Sequence, residues 1–120
     1  MSFHDFTSMP LWQKGISLLV IVYEITRKFP PEEKYGLVSD MRRAANSVVH
    51  NVAEGFGRFE NKDKTRFYKI SRGSAYEIIS QAFASHVLFY LSSEEKEILV
   101  VGYKEIIGEE DRLIKSIETR

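Results

Sequence analysis

Only three short stretches in this 120-residue chain are built to interrupt a helix. Phe29-Pro30-Pro31 is the first. The residue before a proline is pushed out of helical geometry, whereas Pro31 suits a first helical turn. Gly55-Phe56-Gly57-Arg58-Phe59-Glu60-Asn61 is the second, with glycine available for a left-handed C-terminal cap. Leu91-Ser92-Ser93-Glu94-Glu95 is the third, and Ser92 with Glu95 has the spacing of a capping box. These breaks predict helices over 10–29, 32–57, 62–91 and 93–118. Connections this short make successive helices antiparallel. The expected fold is therefore all-α, an antiparallel up-down-up-down four-helix bundle occupying residues 1–120 as one domain.

The second helix has the cleanest period. At 100° per residue, Val38, Met41, Ala45, Val48, Val49, Val52 and Phe56 share one side, opposite Arg43, Asn46, Ser47, His50, Glu54 and Arg58. The first helix is apolar around more of its circumference, from Leu11 and Trp12 to Ile25 and Phe29. Its polar strip is Gln13, Lys14, Ser17, Glu24 and Lys28, interrupted by Ile21. The third helix is apolar on two sides: Phe67, Ile70, Ile78, Ala82, Leu88 and Phe89 face one way, and Tyr76, Phe83, Val87 and Tyr90 the other. One buried stripe is enough for a four-helix monomer, so the surplus predicts self-association. Gly73, inside the third helix, either admits a neighbouring helix closely or weakens its own.

Several function classes lack their residues. There is no cysteine, hence no disulfide or thiolate ligand. The opening Met1-Ser2-Phe3-His4-Asp5 lacks the basic and long apolar regions of a secretory signal. The longest apolar run, Ile16 to Tyr23, is well short of the ~20 residues that span a membrane. A cytoplasmic protein with no membrane contact is expected. Di-iron bundles need Glu-x-x-His pairs. Ser47 and Phe83 stand three residues before His50 and His86, so no metal or other cofactor is expected. Gly55-Phe56-Gly57 lacks the third glycine of a dinucleotide fingerprint and follows no strand.

The formal charge of zero is unevenly spread. Residues 42–72 hold eight Lys/Arg against three Asp/Glu, while residues 93–120 hold five against eight. The eight cations are Arg42, Arg43, Arg58, Lys62, Lys64, Arg66, Lys69 and Arg72. They straddle the turn between the second and third helices, and phosphate binding needs clustered cations above all. Phe56, Phe59, Phe67 and Tyr68 are interleaved with them, either as core residues or as surfaces on which bases stack.

Three segments, Arg42-Arg43-Ala44-Ala45-Asn46-Ser47, Asn51-Val52-Ala53-Glu54-Gly55-Phe56-Gly57-Arg58 and Phe67 through Glu77, resemble the signature of a bacterial family of small four-helix bundles. Some members are encoded by intervening sequences in large-subunit ribosomal RNA genes, and a relative is the accessory variability protein of diversity-generating retroelements. The resemblance implies the same bundle, a pentameric ring, and contact with nucleic acid or with a protein such as a reverse transcriptase. It also singles out Asn51, Glu54, Ser74 and Glu77 as a polar network. Ser74, Glu77 and Gln81 lie among apolar residues of the third helix, so Glu77 is expected to be partly buried and to find donors in Arg43, Arg58, Asn51 or Ser74. Glu54 and Glu77 are the only candidate acid–base pair, and no catalytic motif accompanies them. The expected function is non-enzymatic: a ring-forming bundle that binds nucleic acid, RNA favoured, through a basic end. The alternative is a structural or adaptor protein that binds another protein and no nucleic acid.

Overall fold

A computed structural model describes residues 5–120 of the chain. Met1–His4, part of the opening read for a signal, lie outside the described residues. Four long helices carry the fold: α1 (Pro10–Thr26), α2 (Leu37–Gly57), α3 (Asn61–Val87) and α4 (Ser93–Glu118). They form a rod of 46 × 22 × 21 Å, with α1 against α2 and α4, and α3 between α2 and α4. Cross-helix pairs fix the directions. Lys14 near the start of α1 meets Glu109 near the end of α4 at 2.7 Å, while Lys28 just past α1 meets Glu95 in the first turn of α4. Arg43 pairs with Glu77 across α2 and α3, and Lys69 with Glu118 across α3 and α4. Arg42 reaches back to Thr26 and Tyr23 on α1. Neighbouring helices are antiparallel, as the short connections require.

The helix ends follow local chemistry more closely than the breaks alone foretold. The first helix stops at Thr26, not 29, and the Thr26 hydroxyl donates to the Val22 carbonyl at 2.7 Å. The second begins at Leu37, not 32. Pro31–Glu33 makes a single 3-10 turn, and Glu33 Oε1 then accepts from the Leu37 N–H at 3.2 Å, satisfying a free donor of the new helix. No glycine among the described residues has positive φ, so the left-handed glycine cap expected after α2 is not used. Arg58 is extended instead, and Lys64 Nζ donates to the Phe56 and Gly55 carbonyls at 2.8 and 3.3 Å. Helix α3 ends at Val87, not 91, because Phe89 takes φ 66°. The Tyr90 and Phe89 N–H groups then bond back to Ser85 and His86 at 2.8 and 3.0 Å, a Schellman closure. A side chain in that conformation costs about 1–2 kcal/mol, so nothing in the sequence marked the site. Helix α4 has the expected bounds and capping box, with Glu95 N–H to Ser92 Oγ at 3.1 Å and Ser92 N–H to Glu95 Oε1 at 3.0 Å.

The core is contributed by all four helices. The predicted stripe of α2 is buried from Met41 to Val52, Ala44 joins it, and Val38 and Phe56 are half-buried. On α1 it is Val20 that stands in the exposed strip, whereas Ile21 packs against the core. Helix α3 departs most from expectation. Its inward face is Thr65, Tyr68, Ser71, Ala75, Ile78, Ile79, Ala82 and Ser85, largely small or hydroxylated. Ile70, Leu88 and Phe89 are exposed and Phe67 is half-buried. Small residues let α3 approach α2 closely: a Cβ on Gly55 would stand 2.6 Å from Tyr68 Cε1, which is itself buried. Gly73 is not such a contact, for a Cβ there would meet nothing within 4 Å. The side of α3 facing away from the core carries Tyr76, Phe83 and Val87, exposed at three- and four-residue spacing through Ser80.

Candidate nucleic-acid interface and a buried acid

The turn between α2 and α3 lies at one end of the rod, and it gathers only part of the predicted cationic set. Arg58 and Arg66 both lie over the Phe67 ring, 4.6 and 4.3 Å from its centroid, so the ring holds two guanidinium groups at the surface. Arg58 also bonds Glu54 Oε2 at 3.1 Å, an exposed pair. The Lys62 ammonium has no ion-pair or hydrogen-bond partner among the described residues, and Lys62 lines a groove with Asn61, Thr65, Ile117, Glu118 and Arg120. Arg120 was not a sequence candidate. The antiparallel return of α4 brings it to this end, where burial first and then the Arg120 charge lower the Lys64 pKa. Glu60, Asp63 and Glu118 stand at the same end and temper the positive field.

The other predicted cations are engaged elsewhere. Lys64 caps α2. Lys69 pairs with Glu118 at 2.6 Å, and Arg72 pairs with Asp111 while covering the Tyr76 ring. Arg42 binds the Thr26 hydroxyl at 3.0 Å and stacks on Tyr23, joining α2 to α1. Arg43 meets Glu77 at 3.1 Å. Arg43 and Gly57, the residue before Arg58, are fourteen residues apart on α2, which separates them by roughly 21 Å at 1.5 Å per residue. Proximity in sequence grouped cations that the helix axis separates.

The expected polar network is present but divided. Asn51 Nδ2 donates to the Ser47 carbonyl and hydroxyl at 2.8 and 3.0 Å, and Ser47 Oγ lies 2.7 Å from Ser74 Oγ. Glu77 joins Arg43 and Gln81 Nε2, with its side chain 40% exposed rather than enclosed. Glu54 points outward with Arg58, so it shares no site with Glu77. His50, beside Glu54 on α2, is exposed.

The enclosed carboxyl is Glu110 on α4, which the sequence reading missed. It occupies the buried register of Leu99, Tyr103, Ile106, Ile114 and Ile117. A charged residue at the spacing of an apolar stripe was the available signal. Ser71 Oγ contacts both the Val48 carbonyl, at 2.8 Å, and Glu110 Oε2. A hydroxyl carries one hydrogen, while a carbonyl and a carboxylate only accept. One proton cannot serve both, but a protonated Glu110 donates to Ser71, which in turn donates to Val48. Glu110 Oε1 is buried with no partner among the described residues, as is the Tyr103 hydroxyl. An ionised carboxylate there would lack compensation. Burial accordingly pushes the Glu110 pKa up to about 8, against the pull of the Ser71 bond and of Arg72, with Asp111 and Glu109 adding to the rise. The neutral acid ties α2, α3 and α4 together at mid-bundle.

The sequence model of the family described as 23S rRNA-intervening sequence protein matches residues 7–109. The chain belongs to that family. A crystal structure from Bacteroides thetaiotaomicron, described as a protein of unknown function from the S23 ribosomal protein family, superimposes with a TM-score of 0.81. It shares 18% identity and covers 88% of this chain and 95% of its own, a likeness of fold. Comparison with curated proteins gives no match. Neither the 23S rRNA-intervening sequence family nor its structural neighbour carries a catalytic description. No described helix is long and apolar enough to cross a membrane.

Proposed function

We propose that this member of the 23S rRNA-intervening sequence family is a non-enzymatic, cytoplasmic, self-associating bundle that binds nucleic acid, RNA favoured, through the α2–α3 end. The observation that carries the reading is the grouping of Arg58, Lys62, Arg66 and Arg120 at one end of the rod, with the Lys62 ammonium free of ion-pair and hydrogen-bond partners among the described residues. The remaining predicted cations bond to a neighbouring helix or cap α2, whereas Arg58 and Arg66 have only exposed partners within a turn of themselves, Glu54 and Asp63, which narrows the interface to this group. Self-association rests on the outward apolar row Tyr76, Phe83 and Val87 of α3, with Ile98 and Val101 exposed on α4. A ring of five copies, the arrangement implied by the family resemblance, would repeat the basic end around an axis and add the fields together.

Fluorescence anisotropy with labelled RNA across a salt series tests the binding. Contacts to phosphate make log affinity fall with log salt by about 0.7 per phosphate neutralised on a single strand. Arg58→Ala/Lys62→Ala/Arg66→Ala, with helicity and oligomer mass intact, should flatten that slope. No binding by the wild type at low salt replaces this reading with the adaptor one, in which the partner is a protein. Light scattering coupled to size exclusion tests the assembly, for which a mass near that of the 13.9 kDa single chain removes the ring.

A further inference from the structure

Phe59 sits at the tip of the α2–α3 turn and is 97% exposed. It lies between Arg58, with φ −86° and ψ 147°, and Glu60, with φ −81° and ψ 134°. Extended backbone on both sides holds the ring beyond the ends of α2 and α3. A phenylalanine left in water gives up the burial that favours its kind, so packing does not account for it. Its surroundings distinguish it from the other fully exposed aromatics. Phe89 and Tyr35 stand at the opposite end of the rod, where Lys34 Nζ already lies 5.4 Å over the Tyr35 ring, whereas Phe59 lies between Arg58 and Glu60, three residues before Lys62, on the turn that leads into the helix of the arginine-clad Phe67. The remaining aromatics of this region are not free to receive a ligand: Tyr68 is buried, Phe56 is half-buried, and Phe67 is occupied by the two guanidinium groups.

Building on the nucleic-acid reading, we infer that Phe59 is a stacking platform for an unpaired base, so that the α2–α3 end selects single-stranded RNA over duplex. A ring with an open face next to cations fits a base whose phosphates lie alongside. Duplex RNA keeps its bases stacked within the helix and offers mainly phosphate and sugar hydroxyls. The cations alone would bind either form.

The test compares full-length wild type, Phe59→Ala, Phe59→Tyr and the Arg58/Lys62/Arg66 triple alanine variant. Each is titrated into a short labelled RNA of mixed sequence and into the same RNA annealed to its complement. Losing one stacked base should weaken single-strand binding about 5- to 100-fold. Phe59→Ala should do this without changing the salt slope or the duplex affinity, and Phe59→Tyr should restore it. Phe59 touches no core residue, so circular dichroism should match wild type in every case. If Phe59→Ala binds the single strand as wild type does while the triple variant has lost it, the stacking inference falls and the phosphate interface stands. An equal loss on both forms of RNA also overturns stacking. Wild-type protein that binds neither probe removes the inference and the nucleic-acid reading together.

Discussion

The middle of the bundle and its α2–α3 end treat charge in opposite ways. At mid-bundle, Ser71 and Glu110 are enclosed by three helices, and the carboxyl is held neutral to complete a chain of hydrogen bonds to the Val48 carbonyl. At the end, Arg58 and Arg66 lie over the Phe67 ring with exposed partners in Glu54 and Asp63, and the Lys62 ammonium reaches into water with no partner among the described residues. Burial turns an ionisable residue into a packing element, and exposure leaves it available to a ligand. The two regions should therefore respond to different perturbations: the middle to cavity formation and pH, the end to salt.

The largest effect should come from Glu110→Ala. Removing a fully buried side chain of this size opens a cavity and strips Ser71 of a partner, for a cost of roughly 2–5 kcal/mol. Chemical denaturation measures it directly. A loss below about 1 kcal/mol would mean that the middle is not the enclosed region described.

Proton linkage should follow in size. The Glu110 pKa is raised from 4.5 to about 8 by burial, so the folded form keeps a proton that the unfolded chain has released. Its contribution is whole below about pH 4.5 and is lost as pH rises to about 8. Arg72 on α3 and Glu109 and Asp111 on α4 are the charged groups that bear on it. Melts between pH 5 and about 9 should show stability declining and then levelling. Glu110→Gln, neutral at every pH, should flatten much of that decline and exceed wild type at the alkaline end. Parallel pH profiles for the two proteins would show that Glu110 is already ionised at neutral pH and that the middle does not differ from the end.

A smaller and local cost is expected at the joint between the two regions. Gly55→Ala would place a methyl group 2.6 Å from the buried Tyr68 ring, forcing α2 and α3 apart. Overpacking of this kind costs about 1–3 kcal/mol. Gly73→Ala, with open space around it, should instead stabilise by up to about 1 kcal/mol through helix propensity. Opposite signs at two glycines of neighbouring helices, read from melting temperatures, would confirm which of them marks close approach.

How much of this could be read without coordinates depended on what decided each feature. Helix number, direction and the Ser92–Glu95 cap follow from turn residues a few positions apart, and those were legible. So was the α2 stripe, because bulky residues repeat along it. The inward face of α3 was not. Ile78 and Ala82 of one apolar side are buried, but so are Ser71, Ala75 and Ser85, while Ile70, Leu88 and Phe89 of that same side stand outside, so hydrophobicity alone did not mark the buried face. Glu110 could have been found from its register with Tyr103, Ile106 and Ile114. Arg58, Lys62 and Arg66 stand together at the turn, since Arg58 immediately precedes it and Lys62 and Arg66 are one revolution apart in the helix that follows. Arg42 and Arg43 were grouped with them because a linear sequence does not display axial distance, and Arg120 was missed because only the antiparallel return of α4 brings it there.

The smallest expected effect is at Glu77, the carboxyl expected from the sequence to be partly buried. Its side chain is 40% exposed and its partner Arg43 is 63% exposed, so the pair competes with water and is screened by salt. Glu77→Gln keeps an acceptor for Arg43 and for Gln81 Nε2 and removes only the charge. The change should stay below about 1 kcal/mol, far less than at Glu110. A melt at two protein concentrations makes this decisive. In a single bundle the small cost is independent of concentration. A loss above about 2 kcal/mol that grows on dilution would mean that a second copy covers Glu77 in solution and that the pair is desolvated there. Glu77 would then belong with Glu110 as a buried carboxyl, in an interface rather than a core. The contrast between mid-bundle and surface would have to be redrawn around the assembled protein.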